Sequence, residues 1–297
     1  MTALERAPAG LADGEVYLKR EDLHELGAFK WRAALPVVRE YKSQGATTVV
    51  TASTGNHGAA TAWAARELGL SAVVFVPEQA TEAKLAQIVE LGAELHRVGA
   101  DFDTAKAASV AYAREHGLPL FVDGAEPAQF VGYRAIGEEI ARDLDGRAGT
   151  VIVPVGNGAL IGGVGEALAG TGWSVVGVVA KDAPVMADSF DAGAVRESAS
   201  GATMADGLAV RVAIPYAVAR VQPVVERMVR VSERELAQAI GRFAQAGIRV
   251  EASAAAALAA FAHLPAIAEP IVLIVTGRNI DDELFRRACN APESFAD

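Results

Sequence analysis

The sequence predicts an α/β protein built on open, twisted parallel sheets in two domains. Three observations carry that prediction. β-Branched runs alternate with alanine-rich stretches along most of the chain. The apolar runs Val151–Val155 and Ile271–Val275 are short and bounded by glycine, proline and threonine, as buried strands are. Loops rich in glycine and hydroxyls follow the strands, where parallel sheets place ligands.

The elements follow in order. Thr47–Thr51, a helix from about Gly58 to Leu68, Ala72–Val76, a helix from about Thr81 to Leu91, and Glu94–Val98 make a βαβαβ run. The pattern resumes after Asp123 with a helix near Gly132–Leu144, strand Val151–Val155, a glycine loop, a further helix and strand Ser174–Val179. Crossover helices of this kind impose parallel pairing. Ser232–Gln245 reads as a helix behind the capping box Ser232-x-x-Glu235, Ser253–Ala262 as an alanine-rich helix, and Ile271–Val275 as the last strand. Lys181–Ile214 is the least regular stretch, with Gly193, Gly201 and Gly207 marking loops. The expected division is a small domain, 43–126, inserted into a large one made of 1–42 and 127–297.

Charge and composition exclude several classes. The 297 residues carry 37 acidic and 27 basic side chains, a net charge of -10, with no basic run; that leaves no electrostatic footprint for nucleic acid or an anionic membrane. The apolar stretches are too short to span a bilayer. One cysteine, Cys289, forms no internal disulfide. The N-terminus has neither a basic nor an apolar leader region, so a cytoplasmic protein is expected.

Five segments have chemical potential. Lys30 sits beside Phe29 and small residues, where partial desolvation would make an imine-forming amine; it also reads as a solvated lysine at a helix start. Ser53-Thr54-Gly55-Asn56-His57 lies between a strand and a helix, and its hydroxyls and free N–H groups suit a carboxylate or a plain polar cap. Gly156-Asn157-Gly158-Ala159 opens the helix after Val151–Val155, where backbone amides can approach a phosphate. A dinucleotide loop is the rival reading, with Asp182 as its acidic residue. Asp206 and Glu251 read as turn and cap residues. Thr276, just past the last strand and followed by Gly277-Arg278-Asn279, could meet a ring nitrogen.

Taken in order, Lys19-Arg20-Glu21-Asp22, Phe29-Lys30, Ser53-x-Gly55-Asn56-His57, the Gly156–Gly163 loop, Ala205-Asp206-Gly207-Leu208, Glu251-x-Ser253 and Thr276-Gly277-x-Asn279 resemble the fold-type II pyridoxal-5′-phosphate (PLP) enzymes, in the threonine/serine dehydratase and serine racemase branch. The resemblance implies two parallel-sheet domains with PLP in the cleft between them. It implies Lys30 as the Schiff-base lysine, Asn56 on the ring hydroxyl, and Gly156, Asn157, Gly158 and Ala159 on the phosphate. Glu251 would lie near the ring and Thr276 would face its nitrogen. Ser53, Thr54, Gly55 and His57 would receive the substrate carboxylate. No metal is implied, and the partners are a small amino acid and a second copy of the chain in a homodimer.

The implied reaction is β-elimination of a 3-hydroxy amino acid such as threonine or serine to a 2-oxo acid and ammonia. β- or γ-Replacement, threonine synthase chemistry and a catalytically silent PLP-binding protein are the alternatives. The sequence also departs from the family pattern. Asn157 and Ala159 replace two loop glycines, Ala28 replaces a serine, and Arg278 replaces a small residue. Arg278 therefore raises the alternative of an acidic substrate such as a 3-hydroxyaspartate, through bidentate pairing.

Overall fold

The computed structural model describes residues 1–297, the side chains of residues 83 and 84 excepted. Along the chain lie β1 (Leu4–Arg6), β2 (Val16–Arg20), α1 (Trp31–Ser43), β3 (Thr48–Ala52), α2 (Asn56–Leu68), β4 (Ser71–Val76), α3 (Glu82–Glu90), β5 (Glu94–Arg97), α4 (Phe102–His116) and α5 (Pro127–Asp143). There follow β6 (Thr150–Pro154), α6 (Ala159–Leu168), β7 (Ser174–Ala180), α7 (Val185–Ala192), α8 (Pro215–Val221), β8 (Arg227–Val231), α9 (Glu233–Gln245), α10 (Ala252–Phe261), β9 (Ile271–Val275) and α11 (Asp282–Asn290). The chain divides into two compact units, Met1–Phe29 with Tyr133–Asp297, and Lys30–Gly132. Among the described residues no helix is long and apolar enough to cross a membrane.

The larger unit holds a six-stranded sheet in the order β1-β2-β9-β6-β7-β8. Only the edge pair β1–β2 is antiparallel; β2–β9, β9–β6, β6–β7 and β7–β8 are parallel. Every residue of β6 and β9 is buried, which is why both read as unbroken apolar runs rather than alternating ones. Helix α10 is buried from Ala252 to Ala260. A helix covered on all faces must be apolar all round, and its run of alanines lets it lie against both the sheet and α9. At the start of α9, Ser232 and Glu235 form the reciprocal capping box that their spacing predicts.

Three parallel strands, β3-β4-β5, form the sheet of the smaller unit. Helices α2 and α4 pack on it, with Val50, Val73, Phe75 and Ala113 forming one apolar cluster. Leu120 bridges to Val50 in parallel beyond the last strand, so residues 118–122 run along the sheet and deliver Asp123 past its end. In the irregular 181–214 stretch the structure forms α7 and a short 3-10 turn at Asp206–Leu208.

Candidate active site

On the larger unit, β6 and β9 are parallel neighbours, so the loops that follow them leave the sheet at the same edge, where open α/β sheets bind ligands. After β6, the backbone at Gly156 presses on the Gly207 carbonyl; an added Cβ would fall 2.2 Å from that oxygen. Gly207 in turn donates its N–H to Ser253 Oγ at 3.0 Å. Gly158 starts α6 at φ 93°, a left-handed conformation that glycine adopts without strain. Asn157 Oδ1 accepts the Ala159 N–H at 3.0 Å. This asparagine thereby occupies a helix-start donor that a run of glycines would leave open.

After β9, Thr276 is 2% exposed, and its hydroxyl donates to Glu251 Oε1 at 3.4 Å. Glu251 stands at the N-cap of α10, yet its carboxylate makes no capping bond. It lies against Gly277, where a Cβ would meet the carboxyl carbon at 2.8 Å. The simple cap reading of Glu251 therefore gives way to a carboxylate turned toward the β9 loop. Ala28 bridges Gly277, and the Phe29 N–H donates to the Thr276 carbonyl at 3.0 Å. The residue before Lys30 is thus anchored to the loop that carries Thr276.

Arg278 faces its own unit. Its Nη1 donates to the Asp22 carbonyl at 2.6 Å, and its backbone N–H donates to the Gly27 carbonyl at 2.8 Å. Asn279 Nδ2 adds a bond to the Leu26 carbonyl at 2.8 Å. These contacts tie the β9 loop to the turn that leads into Lys30. Arg278→Gly is therefore expected to lower kcat/KM about five-fold, the effect of one lost hydrogen bond of ~1 kcal/mol, and by the same factor for serine and 3-hydroxyaspartate. A loss confined to the acidic substrate in steady-state kinetics would restore the substrate-carboxylate role.

On the smaller unit, Lys30 caps α1 with its side chain 16% exposed. Its ammonium pairs with Asp123 Oδ2. The other carboxylate oxygen of Asp123 accepts from Gln129 Nε2 at 2.9 Å, and Gln129, fully buried, receives the Gly124 N–H at 2.7 Å. Burial pushes the Asp123 carboxyl up, but the charges of Lys30 and His57 and the bonds from Lys30 and Gln129 outweigh it, so it titrates below the usual carboxylate range. Sequence reasoning missed Asp123. The available signal was an acid directly after the apolar run 118–122, a strand-end position.

His57 is 7% exposed, with Nε2 at 3.0 Å from Thr51 Oγ1 and 3.4 Å from the Phe121 carbonyl. Burial and the Lys30 charge lower its pKa against the pull of Asp123 and Phe121. Ser53 Oγ accepts the Gly55 N–H at 3.2 Å. Helix α2 then starts at Asn56, with Gly55 at its N-cap and no side-chain capping bond. Neither Ser53 nor Asn56 acts as the ordinary cap, and that helix start suits an anion. Thr54 and Asn56 are half-buried on the same turn.

Each unit by itself carries features suited to part of a phosphorylated pyridine aldehyde. The β6 loop admits no side chain at Gly156 and opens a helix; a hydroxyl and a carboxylate meet after β9; a lysine amine is held beside a carboxylate. Among the described residues no grouping of His, Cys, Asp and Glu suits a metal ion.

Comparison with known proteins agrees with that fit. The L-threonine ammonia-lyase of Thermotoga maritima is 33% identical over 285 residues, covering 93% of this chain and 70% of that protein. The processed form of threonine deaminase isoform 2 from Solanum lycopersicum superposes with a TM-score of 0.90 at 28% identity, covering 97% of this chain and 86% of that one. Maize serine racemase gives a TM-score of 0.89 at 26% identity, over 97% and 91% of the two chains. The family described as pyridoxal-phosphate dependent enzyme matches residues 1–277, and the dinucleotide reading of the Gly156 loop falls with that match. This chain belongs to the pyridoxal-phosphate dependent enzyme family.

Proposed function

We propose that the chain is an ammonia-lyase that converts a 3-hydroxy amino acid such as threonine or serine to a 2-oxo acid and ammonia by β-elimination. The observation that carries this reading is the Lys30–Asp123 pair at the start of α1, in a chain whose relatives are threonine ammonia-lyases. When bound, PLP supplies an aldehyde carbon for an amine and a ring that draws the electron pair from Cα.

The chain's own residues have separable tasks. Lys30 would hold the cofactor through Nζ, and the same nitrogen, as a free amine, would take the Cα proton. The backbone amides of Gly156, Asn157 and Gly158 at the start of α6 would receive the phosphate, joined by that of Ala159 once it leaves Asn157 Oδ1. Asn56 bonds the ring hydroxyl. Ser53, Thr54, Gly55 and His57 line the turn that receives the substrate carboxylate. Thr276 would stand opposite the ring nitrogen as a neutral hydroxyl in place of a carboxylate, an environment that favours loss of a β-leaving group over transamination. Glu251 orients Thr276 through the 3.4 Å contact. The reading takes the enzyme as a cytoplasmic homodimer, which sedimentation of the purified holoprotein tests.

Screening holoprotein against serine, threonine, 3-hydroxyaspartate and phenylserine tests the reaction class. Pyruvate from serine or 2-oxobutanoate from threonine is expected in equal amount to ammonia. Conversion without ammonia would favour replacement or threonine synthase chemistry, and no conversion of any amino acid would favour a catalytically silent protein.

A further inference from the structure

The first turn of α10 reaches two different loops of the larger unit. At its start the Glu251 N–H donates to the Gly277 carbonyl at 3.0 Å, and the Glu251 carboxylate takes the Thr276 hydroxyl at 3.4 Å; both contacts go to the loop after β9. Two residues on, Ser253 meets the short turn Asp206–Leu208. Its Oγ accepts the Gly207 N–H at 3.0 Å, and a Cβ on Gly207 would fall 2.7 Å from that oxygen.

Gly207 passes the contact onward. Its carbonyl faces the loop after β6, where a Cβ on Gly156 would meet that oxygen at 2.2 Å. Ser253, Gly207 and Gly156 are therefore stacked in direct contact, with no room for a side chain at either glycine. Close-packed groups of this kind transmit a displacement instead of absorbing it. The base of the stack is rigid: Ser253 is 5% exposed, and α10 is buried from Ala252 to Ala260.

The two contacts of α10 serve opposite ends of the ligand that the cofactor reading places here. Glu251 acts on the loop that carries Thr276, and Ser253 acts on the loop whose amides open α6. Resting on the reading that the cofactor phosphate binds at Gly156, Asn157 and Gly158, we infer that Ser253 is a positioning residue for that phosphate, acting through Gly207. The hydroxyl holds the Gly207 peptide at the height that keeps the Gly156 amide on the phosphate, and one buried helix turn sets both loops. Groups held on rigid elements by such supporting bonds keep the precision that a loop alone lacks.

The test titrates the cofactor-stripped full chain with PLP and with pyridoxal, which has the same ring and aldehyde and no phosphate, following absorbance. The ratio of the pyridoxal to the PLP dissociation constant isolates the phosphate. In Ser253→Ala the PLP constant should rise about five-fold, the worth of one neutral hydrogen bond, while the pyridoxal constant stays at its wild-type value. Gly207→Ala forces a Cβ against Ser253 and should lower the ratio as well. Because the two residues act along one path, the double variant should weaken PLP binding by less than the product of the single effects.

Equal weakening of PLP and pyridoxal in Ser253→Ala would make the serine a general support of the fold and overturn the inference. An unchanged PLP constant, or single effects that multiply in the double variant, would overturn it too. Gly156→Ala examines the underlying reading. If that variant keeps the wild-type ratio, the phosphate does not bind on the β6 loop, and the inference falls with the reading. If Gly156→Ala lowers the ratio and Ser253→Ala does not, the loop reading stands and the inference alone fails.

Discussion

Lys30→Ala is expected to abolish the absorbance of covalently held cofactor and to reduce turnover by at least ~10³-fold, within the range that positioned acid–base groups supply. On the proposed reading one nitrogen both holds the cofactor and carries the Cα proton, so no neighbour divides the loss. His57, at 7% exposure, has its Nε2 committed to Thr51 and Phe121, and Asp123 is an anion. Neither replaces an amine. Borohydride reduction of wild-type holoprotein followed by peptide mapping should label the Lys30 peptide, and label on another lysine would move the site.

The same variant has a pH signature. Burial alone would raise the Asp123 carboxyl, and Lys30 is the largest of the influences that lower it. A carboxyl depressed in the folded state adds stability above its unfolded pKa of about 3.9 and loses it as pH falls through the folded value. The stability difference between wild type and Lys30→Ala should therefore be full at neutral pH and close progressively below about pH 4. A constant gap in denaturant midpoints across that window would mean that the ion pair is not what holds Asp123.

The layered part of the fold was legible because buried parallel strands carry their signal locally. β3, β4, β6, β7 and β9 are apolar and β-branched on both faces, and each stands within two residues of where the sequence places it. β8 was not legible. Its Arg-Met-Val-Arg-Val run has only the last residue buried, as suits a sheet edge where charges discourage further pairing. Helix α4 was also missed, since its hydrophobic positions pack on β3 and β4 while most of its surface is polar. At the site, the glycine loop and Thr276 lie at strand ends, and pattern finds strand ends. Asp123 and Glu251 owe their importance to partners 93 and 25 residues away, a relation that no local window contains.

The buried pair Lys19–Glu139 should dominate the stability of the larger unit. Lys19 sits on β2 with no exposed surface and Glu139 on α5 at 5%; Nζ reaches Oε2 at 2.6 Å and also donates to the Thr2 carbonyl at 2.8 Å. Thr2 closes the group from the other side, with its hydroxyl on Glu21 Oε1 at 2.5 Å. Thr2 thus supplies one of the acceptors that the buried ammonium needs, through its carbonyl. Removing one partner strands a charge, so Glu139→Ala is expected to cost about 3–5 kcal/mol. Removing both charges while keeping the volume strands none, and Lys19→Met with Glu139→Leu should be markedly less costly than either Lys19→Met or Glu139→Leu alone. Urea midpoints of the four proteins, read with a probe in the larger unit, check this. Additive losses in the double variant would show that the two side chains contribute by packing alone, and the pair would then be no more than a buried contact between β2 and α5.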